Sequence, residues 1–177
     1  MYKPLQWKTF IVLVLLLLAS CSPAQSAAVS TAQPPSINTS IPPLTDEELA
    51  VAVQQAQETL HIWRQEFLAP KGSYSMMSLK VRFATQGEVE DMWTEPLYIL
   101  DNTYTVRMVE GVNLDKGIHP GRMLDVKPQD IVDWMMLQED GTLLGGYTLR
   151  LEYERMTPEQ QKKYIEITGI DFEKGKE

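Results

Sequence analysis

Met77-Ser78-Leu79-Lys80-Val81-Arg82-Phe83 alternates apolar and polar residues with a period of two, the pattern of a half-buried β-strand. Upstream the period is that of a helix. Leu49, Val53, Ala56, Leu60, Trp63 and Phe67 recur in alternating steps of four and three, one buried stripe with Gln54, Gln57, Glu58, His61 and Arg64 on wetter faces. The start of this helix is written out: Thr45 as N-cap, Glu48 completing a capping box, Leu44 and Leu49 as a hydrophobic staple, and Asp46 and Glu47 where the helix dipole favours anions. Pro70 and Gly72 end it. A stripe this short predicts packing onto the chain's own sheet, not a coiled coil.

Downstream the period of two continues. Val89 to Leu100 reads as a strand or a pair of short strands, with Pro96 marking a break or an edge. Asp101-Asn102 turns into the alternating Tyr104, Val106 and Met108. A Gly117–Gly121 loop feeds a short strand at Met123 to Val126. Val132 to Leu137 and Thr142 to Tyr153 predict a hairpin joined at Asp140-Gly141. Thr157-Pro158-Glu159-Gln160 then opens a terminal helix with its N-cap, Pro at N1 and Gln at N3, stopping near Gly169. Helix, about six short strands and helix define an α+β fold: an N-terminal amphipathic helix packed on a strongly bent antiparallel sheet or small barrel.

The folded part, Leu44 to Glu177, has 134 residues, a usual size for one domain. Two segments precede it. Residues 1–20 carry Lys3 and Lys8 ahead of an apolar run, Phe10 to Ala19, that is too short to span a bilayer, so they read as a signal peptide. Leu18-Ala19-Ser20-Cys21 resembles the lipobox of bacterial lipoproteins, which implies acylation of Cys21 and cleavage before it. Residues 21–43 then form a lipidated cysteine and an uncharged Pro/Ser/Ala/Thr-rich tether, with Pro34-Pro35 and Pro42-Pro43 keeping it partly extended. Several acyl chains anchor durably where one does not. The expected address is the bacterial envelope, facing the periplasm or outside. Ser22, in place of Asp, favours the outer membrane where there are two.

Charge excludes some partners. Sixteen Lys and Arg against 24 Asp and Glu give −8, and loss of Lys3 and Lys8 with the leader takes this to −10. So acidic a chain is a poor binder of nucleic acid or of anionic lipid headgroups. Cys21 is the only cysteine, so neither a disulfide nor a thiolate metal site is expected. His61 and His119 make a weak metal pair, and no phosphate loop or nucleophile elbow is present, so no cofactor or metal is expected.

Val132 to Leu137 is apolar on both faces, as in a central strand covered on both sides. Asp133 is its odd residue. It either bonds a backbone N–H or pairs with Arg150, or else acts as a general acid or base with a raised pKa. Pairing Leu137 with Thr142 places Trp134 opposite Gly145 and Asp133 opposite Gly146, so that the glycines make room for the indole; a bulge at Gly145-Gly146 is the alternative. Glu90 and Glu95, within the acidic group Glu88, Glu90, Asp91 and Glu95, are the weak candidates for a second catalytic carboxylate.

Glu90-Asp91-Met92-Trp93, Gly121-Arg122-Met123-Leu124-Asp125-Val126, Asp130-Ile131-Val132-Asp133-Trp134 and Gly145-Gly146-Tyr147-Thr148-Leu149-Arg150 resemble the YegJ-like bacterial family, a domain of unknown function numbered two-three-one-four. The resemblance covers most of Ala52 to Arg150. Asp91 stands where many members have His, and Leu114 and Asp115 follow Asn113 where Pro is common. The resemblance implies a domain without an assigned activity and marks Trp93, Asp133, Trp134, Gly145, Gly146, Thr148 and Arg150 as candidate binding or motif residues. The function expected is non-enzymatic binding of a protein or cell-wall partner. An envelope hydrolase using Asp133 with Glu90 or Glu95, and an immunity or inhibitor-type protein acting through its acidic face, are the alternatives.

Overall fold

A computed structural model describes residues 41–85, 88–113, 115 and 117–174. The leader, Cys21 and nearly all of the tether lie outside these residues. The elements are α1 (Asp46–Leu68), β1 (Tyr74–Thr85), β2 (Glu88–Leu100), β3 (Thr103–Met108), β4 (Met123–Val126), a short 3-10 turn at Pro128–Asp130, β5 (Ile131–Gln138), β6 (Leu143–Gly145), α2 (Tyr147–Glu154) and α3 (Pro158–Thr168). The strands form one antiparallel sheet in the order β4-β3-β2-β1-β5-β6. The fold is α+β. The sheet is open, ending at β4 and β6, so the barrel alternative is set aside.

The starts of α1 and α3 follow from their sequence. Thr45 and Glu48 form a reciprocal capping box on α1, and Thr157 and Gln160 form another on α3. Gly169, left-handed at φ 70°, ends α3. The α1 stripe buries Ala56, Leu60 and Trp63 against Leu79, Val81, Tyr104, Val106, Trp134 and Met136 on one sheet face. The opposite face packs Trp93, Met135, Leu137 and Leu143 against Leu149, Met156, Tyr164, Ile170 and Phe172. β1 is therefore covered on both sides near its middle, and Ser78 and Lys80 lie inside rather than on a wet face.

Pro96 sits inside a continuous β2, in the stretch where that strand has lost its pairing with β1, so it marks a break in the ladder and not in the strand. The β1–β2 ladder ends at Leu79 opposite Thr94, although both strands continue. Beyond that rung β1 pairs only with β5, and β2 only with β3. Pro96 has no N–H to add to a ladder, and a register shift follows at once between Pro96 and Tyr98. The shift turns Tyr98 and Leu100 away from the α1 side, where Ile99 packs, and both are exposed.

The predicted strand at Thr142 to Tyr153 is corrected. It is a strand only over Leu143–Gly145, and from Tyr147 the chain is helical. The register moves too: Leu137 pairs with Leu143 and Met135 with Gly145, one residue from the expected pairing. The turn is one residue longer than a tight Asp140-Gly141 loop, since the Gln138 and Gly141 N–H groups bond the Thr142 and Gln138 carbonyls. Gly145 and Gly146 have φ of 70° and 67°, which takes the chain out of extended conformation and into α2.

Candidate functional site

Two consecutive residues of β5 point to opposite faces, and each holds a helix. Trp134 reaches α1, where its Nε1–H donates to the Ala56 carbonyl at 3.1 Å and to Thr59 Oγ1 at 3.2 Å. Its ring meets Tyr147 edge-on, and the Tyr147 hydroxyl bonds Thr59 at 2.8 Å. Asp133, fully buried, holds α2. Its Oδ1 accepts from the Trp134 N–H at 2.8 Å and the Tyr147 N–H at 3.1 Å; its Oδ2 accepts from the Thr148 N–H at 2.8 Å and hydroxyl at 2.7 Å. The residue at the N-cap of α2 is Gly146, which has no side chain to do this. A carboxylate 13 residues upstream therefore caps the helix and meets its positive dipole end.

The Thr148 hydroxyl also accepts from Lys80 Nζ at 3.1 Å. Lys80 in turn lies 3.6 Å from Glu152 and 5.6 Å from the centre of the Trp93 ring. Burial pushes the Asp133 carboxyl above its ordinary pKa; the Thr148 hydroxyl and N–H, the Lys80 charge and the Trp134 N–H pull against it. Three backbone N–H groups and the Thr148 hydroxyl all aim hydrogens at Asp133. The geometry suits a carboxylate that holds a helix, not a proton carrier.

Gly145 is fixed by close approach. A Cβ there would fall 2.3 Å from the Trp134 carbonyl oxygen and 2.5 Å from the indole, so the expected clearance for the tryptophan holds although the register does not. Arg150 does not pair with Asp133. Its guanidinium donates to the carbonyls of Gly145 at 3.0 Å, Phe172 at 3.2 Å and Leu143 at 2.6 Å, closing β6 onto the C-terminal stretch. Burial lowers its pKa from the ordinary value.

Asp133, Trp134, Gly145, Gly146, Thr148 and Arg150 thus meet at one junction of β5, β6 and α2, and Trp93 joins through Lys80. Glu90 and Glu95 do not. Lys80 stands in register with both Asp133 and Trp93, which places Asp133 and Trp93 two strands apart, about 10 Å. Glu95 lies two residues further along and is held by Arg107. Glu90, of opposite parity to Trp93, bonds the backbone and side chain of Asn113 at 2.7 and 2.9 Å. Asp91 forms a two-pronged pair with Arg82 at 2.8 and 2.7 Å. His61 and His119 are exposed on helix and loop. Among the described residues no group of three or more His, Cys, Asp or Glu is placed to hold a metal, and no helix is long and apolar enough to cross a membrane.

Lys80 and Glu152 were not singled out from sequence. The only signal for Lys80 was a cation inside a strand, which reads by default as a wet face. A surface groove between α1 and α2 also went unread, because its walls come from helices a hundred residues apart. It encloses about 480 Å³ between Glu47, Val51, Gln55, Tyr147, Leu151 and Glu154.

A two-faced antiparallel sheet, with one helix locked by a tryptophan and the next by a neighbouring aspartate, defines a small α+β domain with a structural carboxylate at its centre. The chain belongs to the family described as "uncharacterized protein conserved in bacteria (DUF2314)", which matches residues 46–172. It is also similar to a "putative ankyrin repeat protein" of Neisseria meningitidis serogroup B, 29% identical over 139 residues, or 72% of this chain and 53% of that protein. The chain thus spans about half the length of the curated relative it matches. No solved structure matches this chain.

Proposed function

We propose that this chain is a bacterial envelope lipoprotein, anchored through Cys21, whose DUF2314 domain binds another protein without catalysing a reaction. The non-catalytic part of this reading is supported by one observation: the only fully buried carboxylate among the described residues, Asp133, is bonded to groups that build the fold. A hydrolase would need that group accessible and paired with Glu90 or Glu95, and those two are held elsewhere. The anchor rests on Leu18-Ala19-Ser20-Cys21 and the uncharged tether behind it. Ser22 favours the outer membrane where there are two.

Mass spectrometry of the product from native envelope tests the anchor. The expected product begins at Cys21 with three acyl chains, and Cys21→Ser moves the protein out of the membrane fraction. A bare thiol or an uncut leader overturns the address. Turnover of wall glycans or esters by the purified chain at ordinary enzyme rates overturns the non-catalytic reading.

A further inference from the structure

The groove between α1 and α2 is open, and three kinds of surface meet in it. Its floor is apolar, from Ala52, Leu151 and Val51, the last 52% exposed in spite of its central place. Its rim carries three carboxylates: Glu47, Glu48 and Glu154. Only Glu48 is neutralised, by Arg155 at the far end of α2. Glu47 and Glu154 form no ion pair among the described residues. The one cation in the lining, Arg150, already donates to three carbonyls, and Glu154 acts on it only through longer-range charge.

The volume, about 480 Å³, suits a few side chains rather than a whole domain face. The helices run antiparallel, with Glu48 against Arg155 at one end and Thr59 against Tyr147 at the other, so Glu47 and Glu154 lie at the same end. The occupant must therefore supply an apolar group for Val51 and Leu151 with cations next to it for the two carboxylates. We infer that this groove binds an extended segment of a basic partner protein, with one apolar side chain seated beside lysines or arginines that face Glu47 and Glu154. The inference deepens the proposed binding role by naming the partner's chemistry. Its test runs in solution, so its failure is separable from a failure of the lipid anchor.

The probe is a fluorescein-labelled amidated peptide, Lys-Leu-Lys-Val-Lys, titrated with the full chain in neutral detergent and followed by anisotropy. Its counterpart, Glu-Leu-Glu-Val-Glu, is the control. Saturable binding of the basic peptide alone is expected. The double variant Glu47→Lys with Glu154→Lys should weaken it about tenfold or more, since an exposed charge contact is worth up to roughly fivefold in Kd and reversal turns attraction to repulsion. Glu88→Lys with Glu139→Lys changes the net charge equally, away from the groove, and should weaken binding less than about twofold. Val51→Gln should weaken it about threefold, the scale of losing part of one apolar contact. Glu154→Lys alone, at the end of α2 where the dipole favours a cation, keeps the test valid if Glu47→Lys loosens α1. Equal losses in the two double variants, equal binding of the acidic peptide, or no saturable binding would each overturn the assignment.

Discussion

The Asp133 carboxylate caps a helix from a neighbouring strand. A carboxylate in an apolar strand invites a chemical reading, yet four donors surround it and three of them belong to the start of α2. Replacement by Asn puts an NH₂ group against donors and leaves at least one of them unanswered. Asp133→Asn should therefore cost about 3 kcal/mol or more, measured by urea denaturation. A variant that stays within about 0.5 kcal/mol of the parent would return Asp133 to the list of chemical candidates. Gly145 is as constrained as its neighbour is charged. Gly145→Ala meets both a left-handed φ and the Trp134 carbonyl, and should cost about 2–4 kcal/mol. Gly169→Ala shares the φ but has open space around it, and should cost only about 1 kcal/mol. If the two variants melt alike, packing against Trp134 is not what fixes Gly145.

At the scale of elements, legibility depended on whether the deciding contacts were local. The starts of α1 and α3 were fully readable, because a capping box is made within four residues. Tyr147 to Tyr153 reads as strand because Tyr, Thr and Leu alternate there, and nothing nearby says otherwise. What makes it a helix comes from Asp133 and from two glycines at positive φ, so tertiary contacts override the local preference. The α1 cap carries its own pH signature. Thr45 hydrogen bonds, and then Arg155, lower the Glu48 pKa from 4.5 to about 2. A depressed folded pKa means stability that is complete above the unfolded value and is lost as pH falls from about 4.5 toward 2. Glu48→Gln should destabilise at neutral pH, and its denaturation midpoint should converge with the parent's as acid is added. A constant gap down to about pH 2 would mean that the carboxylate's charge is not what the cap uses.

For the whole molecule, the α+β class and the helix-on-sheet packing were legible because they depend on periodicity alone. The open sheet, its strand order and the covering of its second face were not, since these depend on which strands meet. The site was half legible. The Ile-x-Asp-Trp and Gly-Gly-Tyr-Thr segments mark its residues, but their joint task, holding two helices from one strand, depends on contacts between distant parts of the chain. The α1–α2 groove could not be seen at all from a linear pattern.

The parted ladder at Pro96 has a consequence for how the native protein breathes. Past Thr94 the far end of β2, with β3 and β4, no longer shares backbone bonds with β1. This outer flap can loosen without dismantling the β1–β5 spine, so the molecule should open in two stages. Amide deuteration of the native chain should then reach Tyr104–Met108 and Met123–Val126 well before Trp134–Leu137. One common rate across all three stretches would show that the seam transmits cooperativity after all.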